Sequence, residues 1–253
     1  MLSAAPIARL TKSRLLVIFS DVHIGAETHA AAEFDEALRF AREERAMVYL
    51  NGDIIENSQV EGKIPGEMLL GQAIDPTEQV KRAVDIFRPF ARQGRVVGVT
   101  RGNHEARSRR RAMIDLSAVL AHSLDVPYLG IGGMVRVSAG REVYPLAIHH
   151  GKSGGRNIYG ELDRMSGLYP LAELVALGHN HALDARKVQH IGIEDGSEVV
   201  RERWQVRTGS YLKYADYARE SVLPPSPLGS PVVEFGAKAH TIGVDVETLR
   251  WLA

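Results

Sequence analysis

The chain has no cysteine among its 253 residues, which excludes structural disulfides and thiolate metal sites. Any metal ion would have to be held by His, Asp, Glu or Asn. Net charge is also absent, since 31 Lys and Arg balance 31 Asp and Glu. A protein that grips nucleic acid through bulk positive potential is therefore a poor reading, although a local basic patch stays open. No apolar stretch approaches the roughly 18 residues of a membrane-spanning helix, so a soluble, cytoplasmic protein with no membrane partner is expected. The first residues carry Arg9, Lys12 and Arg14 and no acid before Asp21, as a transit peptide would. The one apolar run there, Leu15 to Phe19, is too short for a signal-peptide core and reads better as a buried strand. What is present, 45% apolar and 25% charged residues, excludes disorder and collagen and implies a packed core. With no internal repeat and no interdomain linker, one domain over residues 1–253 is expected.

Leu15-Leu16-Val17-Ile18-Phe19 is a continuous β-rich run, the pattern of a strand buried on both faces. Ala30 to Arg45 follows with Phe34, Ala37, Leu38 and Ala41 at helical spacing. Met47 to Leu50 is a second strand, and Pro76 to Ala91 a helix with Asp75 as N-cap and Pro76 at the first helical position. Arg95 to Thr100 is a third strand. This β-α-β-α-β order implies a parallel sheet with helices packed on it. Beyond it, Ile114 to Leu124 reads as a helix, and Met134 to Ser138 and Glu142 to His149 as strands. Leu171 to Leu177 and Trp204 to Thr208 are further apolar runs. Their short links predict a second, more antiparallel sheet facing the first. Leu223 to Pro231, with four prolines, predicts a loop.

Five polar clusters each follow a strand-like run: Asp21-Val22-His23, Gly52-Asp53-Ile54-Ile55-Glu56, Gly102-Asn103-His104-Glu105, His149-His150-Gly151 and Gly178-His179-Asn180-His181. In a sheet of parallel strands such ends converge on one edge, where α/β proteins place ligands. The convergence would gather four histidines, two aspartates and one asparagine, more than one four-coordinate ion needs. Two ions sharing a carboxylate fit the count, and such pairs, about 3.5–4 Å apart, stabilise the entering and leaving oxygens of phosphoryl transfer. Mixed imidazole and carboxylate donors suit Mn(II), Fe or Zn better than Mg or Ca.

In this order the five clusters resemble the motif set of the calcineurin-like metallophosphoesterases. The resemblance spans Asp21 to His181. It implies a two-sheet β-sandwich flanked by helices, a four-layer α/β fold with a dinuclear metal site at its strand ends. It also implies one metal on Asp21, His23, Asp53 and His181, and a second on Asp53, Asn103, His150 and His179, with Asp53 the bridge. Of the pair at the fourth motif, the family's ligand directly precedes glycine, which selects His150, and strand alternation sends His149 to the other face. His104 matches a histidine that assists departure of the leaving group, with Glu105 orienting it. Glu56 stands where many members have Asp or Asn, at a position that is usually not a ligand.

The implied activity is hydrolysis of phosphodiesters, those of nucleic acid among them, by in-line attack of a metal-bridging hydroxide. A phosphomonoesterase or protein phosphatase with the same core is the alternative, and a non-catalytic scaffold a minor one, because scaffold relatives lose ligands that are all filled here. Arg107 is the residue of the Arg107, Arg109, Arg110, Arg111 run expected to touch substrate phosphate, with Asn103 beside it, while the remainder also fits a solvated basic loop. Lys152 to Arg156 lacks P-loop spacing and reads as a rim loop. Tyr211, Tyr214 and Tyr217 recur every third residue, as on a packed helical face, although aromatic positions near Trp204 and Tyr211 could also line a nucleic-acid groove. His29, His122, His190 and His240 belong to no cluster. Composition carries no information on oligomeric state.

Overall fold

The computed structural model describes residues 7–10, 14–59, 71–152, 157–214 and 225–252. In chain order the strands are β1 (Ile7–Leu10), β2 (Leu15–Phe19), β3 (Met47–Asn51), β4 (Val96–Thr100), β5 (Gly132–Ala139), β6 (Glu142–His149), β7 (Leu174–Leu177), β8 (Leu183–Glu194), β9 (Ser197–Thr208), β10 (Leu228–Gly229), β11 (Val232–Phe235), β12 (Ile242–Asp245) and β13 (Arg250–Trp251). The helices are α1 (Ala31–Glu43), α2 (Pro76–Arg92), α3 (Glu105–Ala112), α4 (Leu116–Leu124) and α5 (Gly160–Leu168). Asp75 caps α2 as expected, accepting from the backbone N–H groups of Thr77 and Glu78.

Two main sheets result. One has the order β12-β11-β2-β3-β4, with β2, β3 and β4 parallel; the other has the order β1-β5-β6-β7-β9-β8 and is mixed. The second sheet is thus less antiparallel than its short links suggested, because β6, β7 and β9 run the same way. Alternation along the strands builds three apolar layers from two sheets. Leu16 and Ile18 of β2 and Leu146 and Ile148 of β6 point into the space between the sheets. Val17 and Phe19 point the other way, onto Phe34 of α1, Phe87 of α2 and Tyr211. On the far side of the second sheet, Ala147, Val175 and Leu177 meet Leu162 and Met165 of α5. The layers are therefore helix, sheet, sheet, helix.

Several local expectations are corrected. The arginine run forms helix α3 rather than a loop. Leu228–Gly229, inside the proline-rich segment, pairs with Arg250–Trp251, while 223–224 lie outside the described residues. Tyr211 and Tyr214 are not helical, and Tyr217 lies outside the described residues, as do 153–156 of the expected rim loop. Tyr211 is fully buried and Trp204 packs between the sheets with its indole N–H on the Ile242 carbonyl, so neither lines a groove. Among the described residues no helix is long and apolar enough to cross a membrane.

Candidate metal centre

The ends of β2, β3, β4, β6 and β7 bring all five polar clusters to one edge of the sandwich. The loops after β2 and β3 are joined by backbone hydrogen bonds from Asp21 to Gly52, His23 to Asp53 and Ile24 to Ile54. The chain turns sharply at the first, second and fifth clusters: Asp21, His23, Asp53, His179 and His181 all have positive φ, between 47° and 70°. Asp and His tolerate the left-handed region better than most residues, yet each such position costs on the order of 1 kcal/mol, and this strain is concentrated at the cluster. Gly52, with φ of 74°, allows the close approach, since a Cβ there would lie 2.7 Å from the Gly102 backbone and from His150 Nδ1.

Asp21 and Asp53 are buried completely or nearly so. Ligand atoms of Asp21, Asp53, His150 and His179 fall within 4.8 Å of one another, as do those of Asp21, His23 and His181 and those of His23, Asp53 and His104. Asn103 joins through its Oδ1, 2.9 Å from His150 Nε2. His150 Nε2 is also 3.1 Å from an Asp53 oxygen, and His181 Nε2 is 3.5 Å from Asp21 Oδ1. All seven expected ligand residues thus converge, with both aspartates reaching both halves.

A metal site is tested by its loose ends. Asp21 Oδ1 and His23 Nε2 are buried with no hydrogen-bond partner, whereas the other donor or acceptor of each is engaged: Asp21 Oδ2 accepts from Ser20 and from the His179 N–H, and His23 Nδ1 lies 2.8 Å from Glu56. A buried carboxylate oxygen and a buried imidazole nitrogen, both without a hydrogen bond, are expensive unless a cation completes them. The imidazole and carboxylate donors fit a divalent transition ion. Electrostatics agree. Burial would lower His150, but Asp53 and Asp21 raise it to about 10. Burial drives His181 down to about 4 against Asp21, with His23 adding to the fall, which leaves its nitrogen free to coordinate. His150 Nδ1 is held by the Asn51 carbonyl, which turns Nε2 towards the aspartates. His149 points to the opposite face and pairs with the Tyr169 hydroxyl at 2.7 Å, as alternation requires.

His104 stands within ligand reach, but both its nitrogens are engaged. Nδ1 lies 2.7 Å from the Glu56 carbonyl oxygen, and Arg107 Nη2 donates to Nε2 at 3.0 Å. A carbonyl only accepts and a guanidinium only donates, so this arrangement corresponds to the neutral ring with its proton on Nδ1. Glu105 does not orient His104, contrary to expectation. Its carboxylate instead accepts from the backbone N–H groups of Asp53, Ile54, Ile55 and Gly102 at 2.8–3.2 Å, clamping the second motif onto the third. Burial and the Asp53 charge push the Glu105 carboxyl up to about 7, against the pull of those N–H donors.

Glu56 takes the orienting role. Its carboxylate meets His23 Nδ1 at 2.8 Å, the Ser58 hydroxyl at 2.7 Å, His104 Nδ1 at 3.4 Å and Arg107 Nη1 at 3.5 Å. Burial would raise its pKa, but hydrogen bonds from His104 and His23 hold it well below the usual range. Two further residues escaped the sequence reading. Asn57, directly after Glu56, donates to the His104 carbonyl at 2.7 Å. Arg207, fully buried, donates to the carbonyls of Ile158 and Gly178 and lies 3.4 Å from Glu161, bracing the strand end before His179. An arginine inside the apolar run Trp204 to Thr208 was the available signal.

A polar cluster of this kind, at the joined strand ends of a four-layer α/β sandwich, is a candidate divalent-metal site. The sequence profile of the calcineurin-like phosphoesterases matches residues 15–211, and the chain belongs to that family. Several solved structures are similar to the chain at low identity. A single-residue variant of Vps29 from Entamoeba histolytica is 15% identical with a TM-score of 0.47, the match covering 91% of each chain. Vacuolar protein sorting 29 from Cryptosporidium parvum is 14% identical with a TM-score of 0.45 over 96% of this chain and 100% of that one. A predicted phosphoesterase from Streptococcus pneumoniae is 13% identical, with a TM-score of 0.38 over 95% and 92%. No curated protein matches the sequence.

Proposed function

We propose that the chain is a dinuclear, metal-dependent phosphodiesterase. The observation that carries this reading is a pair of buried aspartates in one cluster with four histidines and Asn103, where Asp21 Oδ1 and His23 Nε2 are buried without a hydrogen bond. Asp21, His23, Asp53 and His181 would hold one ion, and Asp53, Asn103, His150 and His179 the other. Two such ions, Mn(II) or alternatively Fe or Zn, would supply an activated water and charge neutralisation at phosphorus.

The chain's own groups supply the rest. Glu56 fixes the His23 ring through Nδ1 and leaves Nε2 to coordinate. His104 is set to hold or release a proton at Nε2, the nitrogen that Arg107 now occupies. A proton on Nε2 would break the contact with Arg107 there, leaving the guanidinium on the Glu56 carbonyl at 3.2 Å and carboxylate at 3.5 Å. Burial lowers His104, while Asp53 and Glu56 outweigh it and raise its pKa.

The test is a comparison of metal-reconstituted protein on bis-p-nitrophenyl phosphate and p-nitrophenyl phosphate, with metal content measured on the same sample. Two ions per chain and preference for the diester are expected. Preference for the monoester would replace the reading with a phosphomonoesterase, and two ions without turnover would make the chain a metal-binding scaffold.

A further inference from the structure

The hairpin of β8 and β9 outruns its own sheet. β7 accompanies β9 only from Trp204 to Arg207, whereas β8 and β9 stay paired without a register shift from Leu183 and Thr208 to Glu194 and Ser197. The part beyond Arg203 is a two-stranded ribbon, which by itself is marginally stable in water. On the face that continues from Trp204, Ile191 stands opposite Val200 and Ile193 follows. Trp204 is covered by the first sheet, but Ile191, Ile193 and Val200 are 65%, 75% and 64% exposed. β8 is also the last strand of its sheet, with no strand on its outer side among the described residues. The Gly209 N–H donates to the Ala182 carbonyl, which sets the phase of the ladder: even-numbered residues of β8 bond to β9, and odd-numbered ones turn N–H and C=O outward. The Ala185 N–H accordingly donates to the Asp184 carboxylate. From Val188 to Ile193 this edge has no proline, no charge and no bulge, the devices that protect edge strands, whereas β9 carries Glu198, Arg201 and Glu202 along the same ribbon.

We infer that the chain forms a twofold-symmetric dimer in which β8 pairs antiparallel with β8 of a second copy. A twofold axis normal to the sheet at Ile191 sets Ile191 against its own copy, Gln189 against Ile193, and Lys187 against Asp195 at both ends. Lys187 already meets Glu202 at 3.0 Å, and its ammonium has donors left for a second carboxylate. An axis at His190 would set Lys187 against Ile193, and one at Gly192 would carry Lys187 past the end of the partner strand. Charge and apolar matching therefore select Ile191. Two marginal ribbons become one four-stranded sheet with an apolar face. A fully exposed aliphatic side chain offers on the order of 100 Å², so Ile191, Ile193 and Val200 offer roughly 200 Å² per copy. Pairing from Lys187 to Asp195 extends the contact over ~30 Å. This is less than the ~800 Å² per partner of a standard stable interface, which makes the dimer a reversible one. The inference does not depend on the reading of the metal centre.

The test is sedimentation of the full chain over a wide concentration range, together with single-cysteine crosslinking, which the absence of native cysteine makes specific. The mass should rise with concentration from one chain to two and stop there. Ile191→Lys sets two ammonium groups face to face at the axis and should raise the dissociation constant at least ~10-fold. In Ile191→Cys the facing Cα atoms would lie about 5.5 Å apart, within disulfide range, so mild oxidation should link two chains. Gln189→Cys and Ile193→Cys would each stand about 14 Å from their own copies and should stay unlinked. A monomer at every concentration overturns the inference, as does growth beyond two chains or an unchanged dissociation constant in Ile191→Lys. Crosslinking at 189 or 193 in preference to 191 overturns it as well, and this comparison decides the matter if Ile191→Lys does not fold.

Discussion

Two histidines in this protein each lie between two carboxylates, and they differ in almost everything else. His240, in the turn between β11 and β12, contacts Glu142 and Glu173 at 2.8 Å through its two nitrogens and stacks on Tyr144. It is substantially exposed, and both its ring nitrogens are satisfied. His150 lies among Asp53 and Asp21, almost fully buried, beside a carboxylate oxygen and an imidazole nitrogen without a hydrogen bond, on loops with positive φ. Histidine with acid is therefore not the mark of a functional site. Burial, unpaired donor atoms and backbone strain together are, because stability alone would not maintain that combination.

The sharpest way to break this contrast is at Asp53. Asp53→Asn removes one of the two charges that would hold cations together, so one or both ions should be lost and turnover on bis-p-nitrophenyl phosphate should collapse to near background. Two ions per chain by elemental analysis, with normal turnover, would contradict the assignment. His104→Ala comes next. A positioned acid contributes typically 10²–10⁴-fold, about 3–5 kcal/mol, so the variant should lose that much kcat and retain its metals. An alkyl leaving group should suffer more than p-nitrophenolate if His104 donates a proton. Metal loss in parallel with activity would make His104 a ligand instead.

Glu56→Gln should act through its neighbours. It keeps the size of the side chain but weakens the charged contact with His23, and such supporting carboxylates are worth about 10–100-fold in metal affinity or activity. Titration of the metal-free variant with Mn(II) measures this, and affinity within twofold of wild type would leave Glu56 without an orienting role.

The smallest effect is expected at His240. Burial would lower its pKa, but Glu173 and Glu142 outweigh it and raise it above the ordinary 6.5. A histidine with a raised folded-state pKa stabilises fully below its unfolded pKa, and this contribution disappears as pH rises through the folded value. His240→Gln should thus lower stability below pH ~6 and have little effect above pH ~8, by at most about 1 kcal/mol given its exposure. Denaturant melts at the two pH values distinguish this from the pH-independent loss expected if only stacking on Tyr144 mattered.

How far the sequence could be read follows the same physics. Strands β2, β3 and β4 and helix α2 were legible because each has an unbroken apolar run or a cap-and-proline start. That His149 and His150 face opposite sides was legible because alternation separates two neighbours on a strand. Strand β8 was missed because its charges Asp184, Arg186 and Lys187 interrupt any apolar run, although the Asp195-Gly196 turn, with both φ positive, was a readable hairpin signal. Helix α3 was missed because it has almost no apolar face; its buried side is Glu105 and Ser108. The role of Glu56 could not be read along the chain, since its partners His23 and His104 are brought to it by two different strands.

The long reach of that assembly bears on how the protein is made. Val17 of β2 pairs on one side with Val48 and on the other with Val232, and β1 waits for β5 before it has any neighbour in its sheet. During synthesis the β2-α1-β3 portion can condense soon after it emerges, but Asp21 meets His179 and His181 only after two-thirds of the chain has been made. Contacts this distant in sequence form late, once the cost of closing the intervening loops has been met. A nascent chain therefore offers passing metal ions no more than isolated Asp and His side chains, and selection of the correct ion falls to the finished sandwich.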